Sequence, residues 1–374
     1  MNGSMYKDHK AVEYAQMACD TMMRKFAPED LPPKDRFHYH QGVFLSGVQK
    51  TWHLTGDKKY YDYYKAWVDH EVRPDGTIIQ WDPGQMDDIQ PGILLYELYE
   101  KTGDERYKKA LDVLVPTIYN LPKTPEGGLW HKDPSCPNQM WLDGLYMGGP
   151  ICAEYAAKFN HPEYFDFVTN QALLMEKFTK DEKTGLWYHA YDASRKASWA
   201  DPVTGKSPEF WGRSIGWVPI AMLDELVFLP EDHKDRKEII RLTVDLLTAL
   251  IPYQDEVTGL WYQVVDKGGQ EGNWVESSCT CLYSAAIARA IKMGLMDEKY
   301  MDVAVKGYHG IIDRLRYNEQ GIIVDNICVG TGVGDYAHYC ARPTSENDLH
   351  GMGAFLIMCT DIAAALDSIK EERE

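Results

Sequence analysis

The sequence lacks the cysteine patterns of a zinc site or of a disulfide framework. Its eight cysteines are scattered without a CxxC pair, and Cys279 and Cys281 stand too close for a usual structural disulfide. Others lie among apolar residues, as Cys152 does between Ile151 and Ala153, where a buried free thiol is the common outcome. This cysteine usage favours a reducing compartment, and we expect a cytoplasmic protein.

Long hydrophobic runs and an excess of positive charge are also missing. No uncharged apolar run approaches the ~20 residues of a membrane helix, and residues 1–8 lack the apolar stretch of a secretory signal, so we expect neither feature. With 39 Lys and Arg against 57 Asp and Glu, the net charge is −18, which disfavours nucleic acid and anionic membranes as partners. An acidic globular enzyme or binding protein remains.

Aromatic residues with a polar group are abundant. The 374-residue chain has 11 Trp and 24 Tyr but only 10 Phe. Such side chains combine an apolar face with a hydrogen-bonding edge, which suits sugar rings, although packing between helices uses them as well.

A short charged motif recurs along the chain and marks the start of each of several predicted amphipathic helices. It reads most clearly at Gly56–Tyr60 and Gly103–Tyr107, where Asp57 and Asp104 have the position of helix N-caps. Similar openings bring the number of predicted solvent-facing helices to six: 6–10, 160–164, 231–237 and 296–300.

Six segments that are poor in charge and rich in small residues alternate with these helices. They begin near Gly42, Ile89, Gly144, Ser214, Cys279 and Leu349. Helices that are apolar on most sides belong in an interior. We therefore predict an all-α fold, an (α/α)6 barrel of six inner and six outer helices with short strands in the rim loops. Length alone favours two domains of about 150 residues, but a period of about 62 residues favours a single catalytic domain over residues 1–374.

Polar residues cluster where each loop enters its inner helix: His40, Asp88, Asp143, Arg213, Glu276, and Asn347 or Asp348. The N-termini of the inner helices should converge at one mouth of the barrel, where free amides and helix dipoles favour anions. We expect the functional site at this mouth.

Two aspartates are candidates for acid–base catalysis. Asp143 lies between Trp141 and a Gly/Tyr/Met run, where partial desolvation would raise the pKa of its carboxyl. Asp88 occupies the matching place one repeat earlier, and two carboxylates facing each other would raise the pKa of one of them. Both positions also suit a helix cap.

Arg213 lies between Trp211 and Trp217 at the start of an apolar helix. An arginine is rarely buried unpaired, so it could hold a substrate carboxylate while the indoles hold a ring. A structural salt bridge to Asp143 or Asp88 is the alternative.

Weaker candidates for substrate binding carry a cation or amide beside an aromatic residue. They are His40, Gln41, Lys132, Trp141 and His189. The histidines are too dispersed in the repeat to indicate a metal. The glycine-rich stretch 330–335 lacks the context of a phosphate loop, and we interpret it as a flexible rim loop.

Three motifs together resemble a known family. W-x-D-G-x-Y-M-G around Asp143, D-D-x-Q-P around Asp88 and W-G-R-S-x-G-W around Arg213 resemble bacterial unsaturated rhamnogalacturonyl hydrolases of glycoside hydrolase family 105. More distantly, they are similar to the unsaturated glucuronyl hydrolases of family 88. The resemblance covers essentially the whole chain.

The resemblance implies an unusual hydrolysis in pectin degradation. The enzyme would release a terminal 4,5-unsaturated galacturonyl residue from rhamnogalacturonan oligosaccharides. Asp143 would protonate C4 of the double bond while water adds at C5, and Asp88 would hold ring hydroxyls and raise the pKa of Asp143. Trp211, Arg213, Trp217 and His189 would bind the unsaturated sugar. The reaction requires no metal or organic cofactor, the partner is a small oligosaccharide, and we expect a monomer.

Other functions stay open from the residues. They are an unsaturated glucuronyl hydrolase acting on glycosaminoglycan-type disaccharides, an inverting glycosidase, a sugar 2-epimerase with paired histidine bases, and a carbohydrate-binding protein without catalysis.

Overall fold

A computed structural model describes residues 10–371, and within them two concentric rings of helices confirm the (α/α)6 barrel. The inner ring comprises α2 (Tyr39–Thr55), α4 (Leu95–Thr102), α6 (Asp143–Phe159), α8 (Gly212–Phe228), α10 (Ser277–Lys292) and α13 (Leu349–Glu371). The outer ring comprises α1 (Lys10–Lys25), α3 (Lys58–Glu71), α5 (Glu105–Asn120), α7 (Glu163–Thr179), α9 (Arg236–Leu250) and α11 (Met301–Ile312). A short helix, α12 (Tyr336–Cys340), lies in the last rim loop. Of the predicted first opening, residues 6–9 lie outside the described residues.

The repeated Gly-Asp phrase makes the turn between an inner helix and the next outer one. Gly56 follows α2 with a φ of 68°, a left-handed conformation that glycine adopts without steric cost. The side chain of Asp57 then accepts a hydrogen bond from the amide of Lys59 and caps α3. Gly103 and Asp104 do the same between α4 and α5, which confirms both predicted caps.

The inner ring closes because its last helix packs against its first. Each inner helix contacts its neighbours, and α13 packs against both α10 and α2. Close approach depends on glycine: a Cβ added at Gly353 would lie 2.5 Å from the backbone carbonyl of Val43 in α2.

Helix α13, with 23 residues, is the longest helix of the described chain. Among the described residues it is the one helix long and apolar enough to cross a membrane, with a mean hydropathy of 1.6 over its most apolar 18 residues. However, 94% of those residues are buried inside the protein. It therefore serves as a core helix of the barrel.

Short antiparallel strand pairs occupy the rim loops, as predicted. They are β1 (Gln139–Trp141) with β2 (Ala190–Asp192), β3 (Trp261–Tyr262) with β4 (Val275–Glu276), β5 (Arg316–Asn318) with β6 (Gly321–Ile323), and β7 (Ile327–Cys328) with β8 (Thr344–Ser345). The register of the first pair sets Trp141 opposite Ala190. This pairing brings His189, which precedes β2, beside Asp143, which follows β1.

Candidate active site

A cavity of about 300 Å³ opens where the inner helices begin. Asp143 lines it together with five of the residues predicted to bind substrate: His40, Lys132, Trp141, Trp211 and Arg213. Other lining residues were not among the predicted ones: Arg36, His38, Tyr39, Asp87, His131, Gly330, Thr331 and Gly332. The cavity therefore lies at the predicted mouth, and its wall is strongly polar.

Asp143 is the first residue of α6, and its carboxylate contacts a buried histidine. The Nε2 atom of His189 lies 3.2 Å from Oδ2 of Asp143. Burial acts to raise the pKa of Asp143, but the hydrogen bond from His189 and the charges of His189 and His131 outweigh it. The pKa of Asp143 is therefore below its ordinary value, whereas we expected it to be raised.

The second carboxylate in the cavity is Asp87, and the prediction for Asp88 needs correction. Asp88 is fully buried and is not among the described residues that line the cavity. Its Oδ1 accepts from Arg36 at 3.0 Å and contacts Nδ1 of His38 at 2.7 Å, and its Oδ2 accepts from the amide of Asp82. Because the short 3₁₀ turn 86–88 turns consecutive side chains in different directions, Asp87 faces the cavity and Asp88 supports its wall.

Asp87 forms an ion pair with one of the predicted cations. The Nζ atom of Lys132 lies 2.8 Å from Oδ2 of Asp87, and Nε2 of His131 lies 3.6 Å from Oδ1. Burial acts to raise the pKa of Asp87, but His131, Lys132 and His38 lower it to about 2. Burial lowers the pKa of His131 to about 4. Asp87 and Lys132 thus present a fixed pair of opposite charges.

Arg213 is buried, with 1% of its surface exposed, yet it borders the cavity. Its Nη1 and Nη2 atoms donate to the carbonyls of Cys328 and Val329 at 2.5 and 2.9 Å. Its guanidinium lies 4.5 Å from the ring centre of Trp211. Among residues 10–371, no carboxylate lies within ion-pair distance of it, so the alternative of a structural salt bridge is wrong.

Three predicted binding residues lie behind the cavity wall. Gln41 is fully buried and donates to the carbonyls of Leu31 and Pro33. Trp217, one turn after Arg213, stacks on Tyr146 with ring centroids 4.7 Å apart. His189 is fully buried, and its two ring nitrogens contact Asp143 and the hydroxyl of Tyr339. None of these three is among the described residues that line the cavity, so the prediction of direct binding needs correction for each.

The glycine-rich rim stretch forms part of the cavity wall. Gly330, Thr331 and Gly332 line the cavity, and Arg342 donates to the hydroxyl of Thr331 at 2.9 Å and to the carbonyl of Gly330 at 2.5 Å. The stretch that we interpreted as a flexible loop is thus held by side chains of the same segment.

Two histidines that are far apart in the repeat come together beside the cavity. The rings of His40 and His350 stack 4.9 Å apart, and ligand atoms of both and of Asp348 lie within 4.8 Å of one another. However, Nε2 of His350 contacts the same Cys328 carbonyl that Arg213 contacts. A cation bound there would be repelled by the guanidinium of Arg213, which makes the cluster a poor metal site. A second such cluster of the described residues lies between outer helices: Asp166, His233 and Asp235.

Several functional candidates had little signal in the sequence. Asp87 and His131 adjoin residues that were predicted, and only the local turn decides which neighbour faces the cavity. His38 and Tyr39 directly precede His40 and Gln41, the two residues of this stretch that we predicted to bind substrate. Arg36 precedes it without any motif.

A second cavity, of about 350 Å³, is lined by the later turns of the inner helices. Its cations are compensated: Arg289 pairs with Asp361 at 2.5 Å and with Asp224, and Lys50 lies 3.7 Å from Asp361. Of these two cavities in the described chain, the one beside Arg213 joins a buried cation that lacks an ion-pair partner to a carboxylate at a helix start.

The chain is similar in sequence and structure to known glycoside hydrolases. The family model for Glycosyl Hydrolase Family 88 matches residues 14–366. A solved structure of a family 105 glycoside hydrolase from C. acetobutylicum is 35% identical, covers 93% of this chain and 99% of its own, and superposes with a TM-score of 0.89. YesR, an unsaturated rhamnogalacturonyl hydrolase of Bacillus subtilis, is 28% identical over 86% of this chain and 88% of its own.

A more distant structure shares the fold. The unsaturated glucuronyl hydrolase of Bacillus sp. GL1 superposes with a TM-score of 0.65 at 15% identity, covering 94% of this chain and 95% of its own.

Proposed function

The chain belongs to glycosyl hydrolase family 88 and to the related family 105, and we propose that it is an unsaturated rhamnogalacturonyl hydrolase. It is a glycoside hydrolase, and its relatives support hydrolysis of unsaturated uronyl residues. The specific substrate that we propose is a terminal 4,5-unsaturated galacturonyl residue linked to rhamnose. YesR, which carries that activity in its name, aligns over most of the chain.

The unpaired guanidinium of Arg213 is the observation that carries the proposal. A buried positive charge without a carboxylate partner is unfavourable unless an anion completes it. The unsaturated uronyl ring supplies one carboxylate, and the Arg213 side chain borders the same cavity as Asp143. Trp211 and Trp141 provide flat apolar faces for the sugar rings.

The proposed reaction begins with a proton transfer from Asp143 to C4 of the double bond. Water then adds to C5 and gives its proton to the Asp143 carboxylate, which leaves a hemiketal at C5. The bond between C5 and the ring oxygen breaks, C5 becomes a ketone, and the hemiacetal left at C1 releases rhamnose. All groups used are protein side chains and water.

Substrate binding must change the protonation of Asp143, because the contacts with His189 and His131 favour its ionised form. A bound sugar removes water from the carboxylate and places a second negative charge near it. Both effects raise the pKa of an acid. We propose that the substrate itself prepares Asp143 to act as an acid.

The remaining roles follow from position. Asp87 and Lys132 would hold ring hydroxyls, a role that we move from Asp88 to Asp87. His40 lines the cavity and would contact the sugar. His189 would hold Asp143 in place, while Gln41 and Trp217 would support the wall.

Broader expectations complete the proposal. We place the enzyme in the cytoplasm, since all eight cysteines are free and six of them are buried. Its partner is a small oligosaccharide, and we expect a monomer. We treat residues 1–374 as one domain because the ring closes between α13 and α2.

The test is a comparison of substrates. The protein is incubated with an unsaturated galacturonyl–rhamnose disaccharide, an unsaturated glucuronyl disaccharide with an amino sugar, and the saturated galacturonyl–rhamnose disaccharide. We expect the ultraviolet absorbance of the double bond to disappear fastest with the first, and no hydrolysis of the third.

Two results would overturn parts of this proposal. Faster turnover of the amino-sugar disaccharide would make the enzyme a glucuronyl hydrolase. Hydrolysis of the saturated disaccharide at a similar rate would make it an ordinary glycosidase.

A further inference from the structure

A chain of hydrogen bonds connects the last rim segment to Asp143. The amide of Gly334 donates to the hydroxyl oxygen of Tyr339 at 3.2 Å. That hydroxyl lies 2.7 Å from Nδ1 of His189, whose Nε2 lies 3.2 Å from Oδ2 of Asp143. Tyr339 and His189 are both fully buried, so water does not substitute for these partners.

The donors in this chain can be deduced from its ends. The Tyr339 oxygen already accepts from Gly334, and its single proton has His189 Nδ1 as its neighbour. A phenol that donates to Nδ1 leaves the imidazole proton on Nε2. His189 then donates to the carboxylate of Asp143. With the opposite tautomer, a bare Nε2 would face the carboxylate and the phenol proton would lose its acceptor.

Tyr339 is held in place by more than this chain. Its ring stacks on Trp211 at an interplanar angle of 13°, and its carbonyl accepts from Nε2 of Gln263. It is not among the described residues that line the cavity. The ring of Tyr339 therefore supports Trp211 in the cavity wall, while its hydroxyl acts on Asp143 through His189.

We propose that Tyr339 is a positioning residue that fixes His189 in the tautomer donating to Asp143, and so holds that carboxylate in place at the cavity wall. The proposal rests on the function proposed above. It gives the rim segment, whose Gly330–Gly332 part borders the cavity, a direct link to the group that transfers the proton.

Other charged and titratable groups act on Asp143 from separate elements. They are Asp87, His131, Lys132, Arg213, Tyr39 and Tyr339. The Tyr339→Phe variant leaves the first five in place and removes only the phenol oxygen and its proton. A change in the pH profile of this variant therefore reports on the chain itself.

The kinetic test compares Tyr339→Phe with Tyr336→Phe. Tyr336 lies on the same short helix, and its hydroxyl donates to the carbonyl of Glu271, away from Asp143. Activity of a catalytic acid falls as pH rises through its pKa. Without the Tyr339 hydroxyl, the tautomer of His189 that donates a hydrogen bond to Asp143 is no longer enforced. The pKa of Asp143 then rises, and the alkaline limb of the kcat profile moves to higher pH. We expect KM close to wild type, and a wild-type profile for the control.

A second measurement is independent of activity. Long-range ¹H–¹⁵N NMR of histidine-labelled protein identifies imidazole tautomers, and a His189→Gln sample identifies the signal of His189. We expect wild-type His189 to carry its proton on Nε2, and Tyr339→Phe to shift that signal. A wild-type proton on Nδ1, or a Tyr339→Phe pH profile that superimposes on wild type, overturns the proposal. If no protein cleaves the unsaturated substrate, the proposed function fails, and the tautomer still decides the hydrogen-bond chain.

Discussion

At the scale of single residues, the cavity combines paired charges with one unpaired charge. Asp87 is compensated by Lys132, and Asp143 is hydrogen-bonded to His189. Arg213 donates to two backbone carbonyls and lies over the ring of Trp211, and no carboxylate of the described residues lies within ion-pair distance of it. This arrangement favours a ligand that brings one negative charge and several hydroxyls.

Neighbouring aspartates give the first residue-scale prediction. We expect Asp87→Asn to lower kcat/KM by roughly 10-fold to 100-fold, the cost of losing a charged hydrogen bond of about 1.5–3 kcal/mol. Asp88→Asn should have the smaller effect on kcat/KM, but its free energy of unfolding should fall by about 1.5–3 kcal/mol because Arg36 and His38 lose a charged partner. Steady-state kinetics and urea unfolding of both variants measure these effects. A larger kinetic loss in Asp88→Asn would return the catalytic role to Asp88.

Most residues of the site could be predicted from the sequence, but the direction in which their side chains point could not. Asp143, Arg213 and Lys132 could be predicted because each stands beside aromatic residues at the start of an inner helix or in the loop before one. The choice between Asp87 and Asp88 could not, since it depends on the direction of a single 3₁₀ turn. The lowered pKa of Asp143 was also out of reach, because it comes from His189, 46 residues away in the sequence.

At the scale of elements, the repeat was predictable because inner and outer helices differ so clearly in composition. The residue types also specify the turn between them, since a glycine in a left-handed conformation ends one helix and an aspartate caps the next. What composition could not show is which inner helices touch. Closure between α2 and α13 depends on contacts between segments about 300 residues apart.

This closure gives an element-scale prediction. In Gly353→Ala, the new Cβ would meet the backbone of Val43 and Phe44, which cannot move without shifting α2. We expect a loss of about 1–3 kcal/mol or more in the free energy of unfolding, measured by urea denaturation.

Gly148→Ala is the matched control, because the Cβ added there meets the flexible end of Met86 at 2.9 Å. It should destabilise less than Gly353→Ala. An equal or greater loss in the control would mean that the contact between α13 and α2 does not limit closure of the ring.

At the scale of the whole molecule, the charge of −18 and an anionic substrate are compatible. The excess of acidic residues disfavours polyanions through long-range repulsion, while the mouth of the barrel supplies a local positive charge at Arg213 and the amides of helix N-termini. Length alone favours two domains, whereas helices between residues 10 and 371 alternate between the two rings, which supports our proposal of one domain.

The most direct test of the account is the fate of C4 during turnover. The reaction is run in D₂O with an unsaturated galacturonyl–rhamnose disaccharide, and the products are followed by NMR from the first turnovers, with Asp143→Asn as control. We expect each released uronyl residue to carry one deuterium at C4 and to have lost its double bond, and we expect Asp143→Asn to be slower by roughly 10²-fold to 10⁴-fold. Release of rhamnose with the double bond intact and no deuterium at C4 would contradict it.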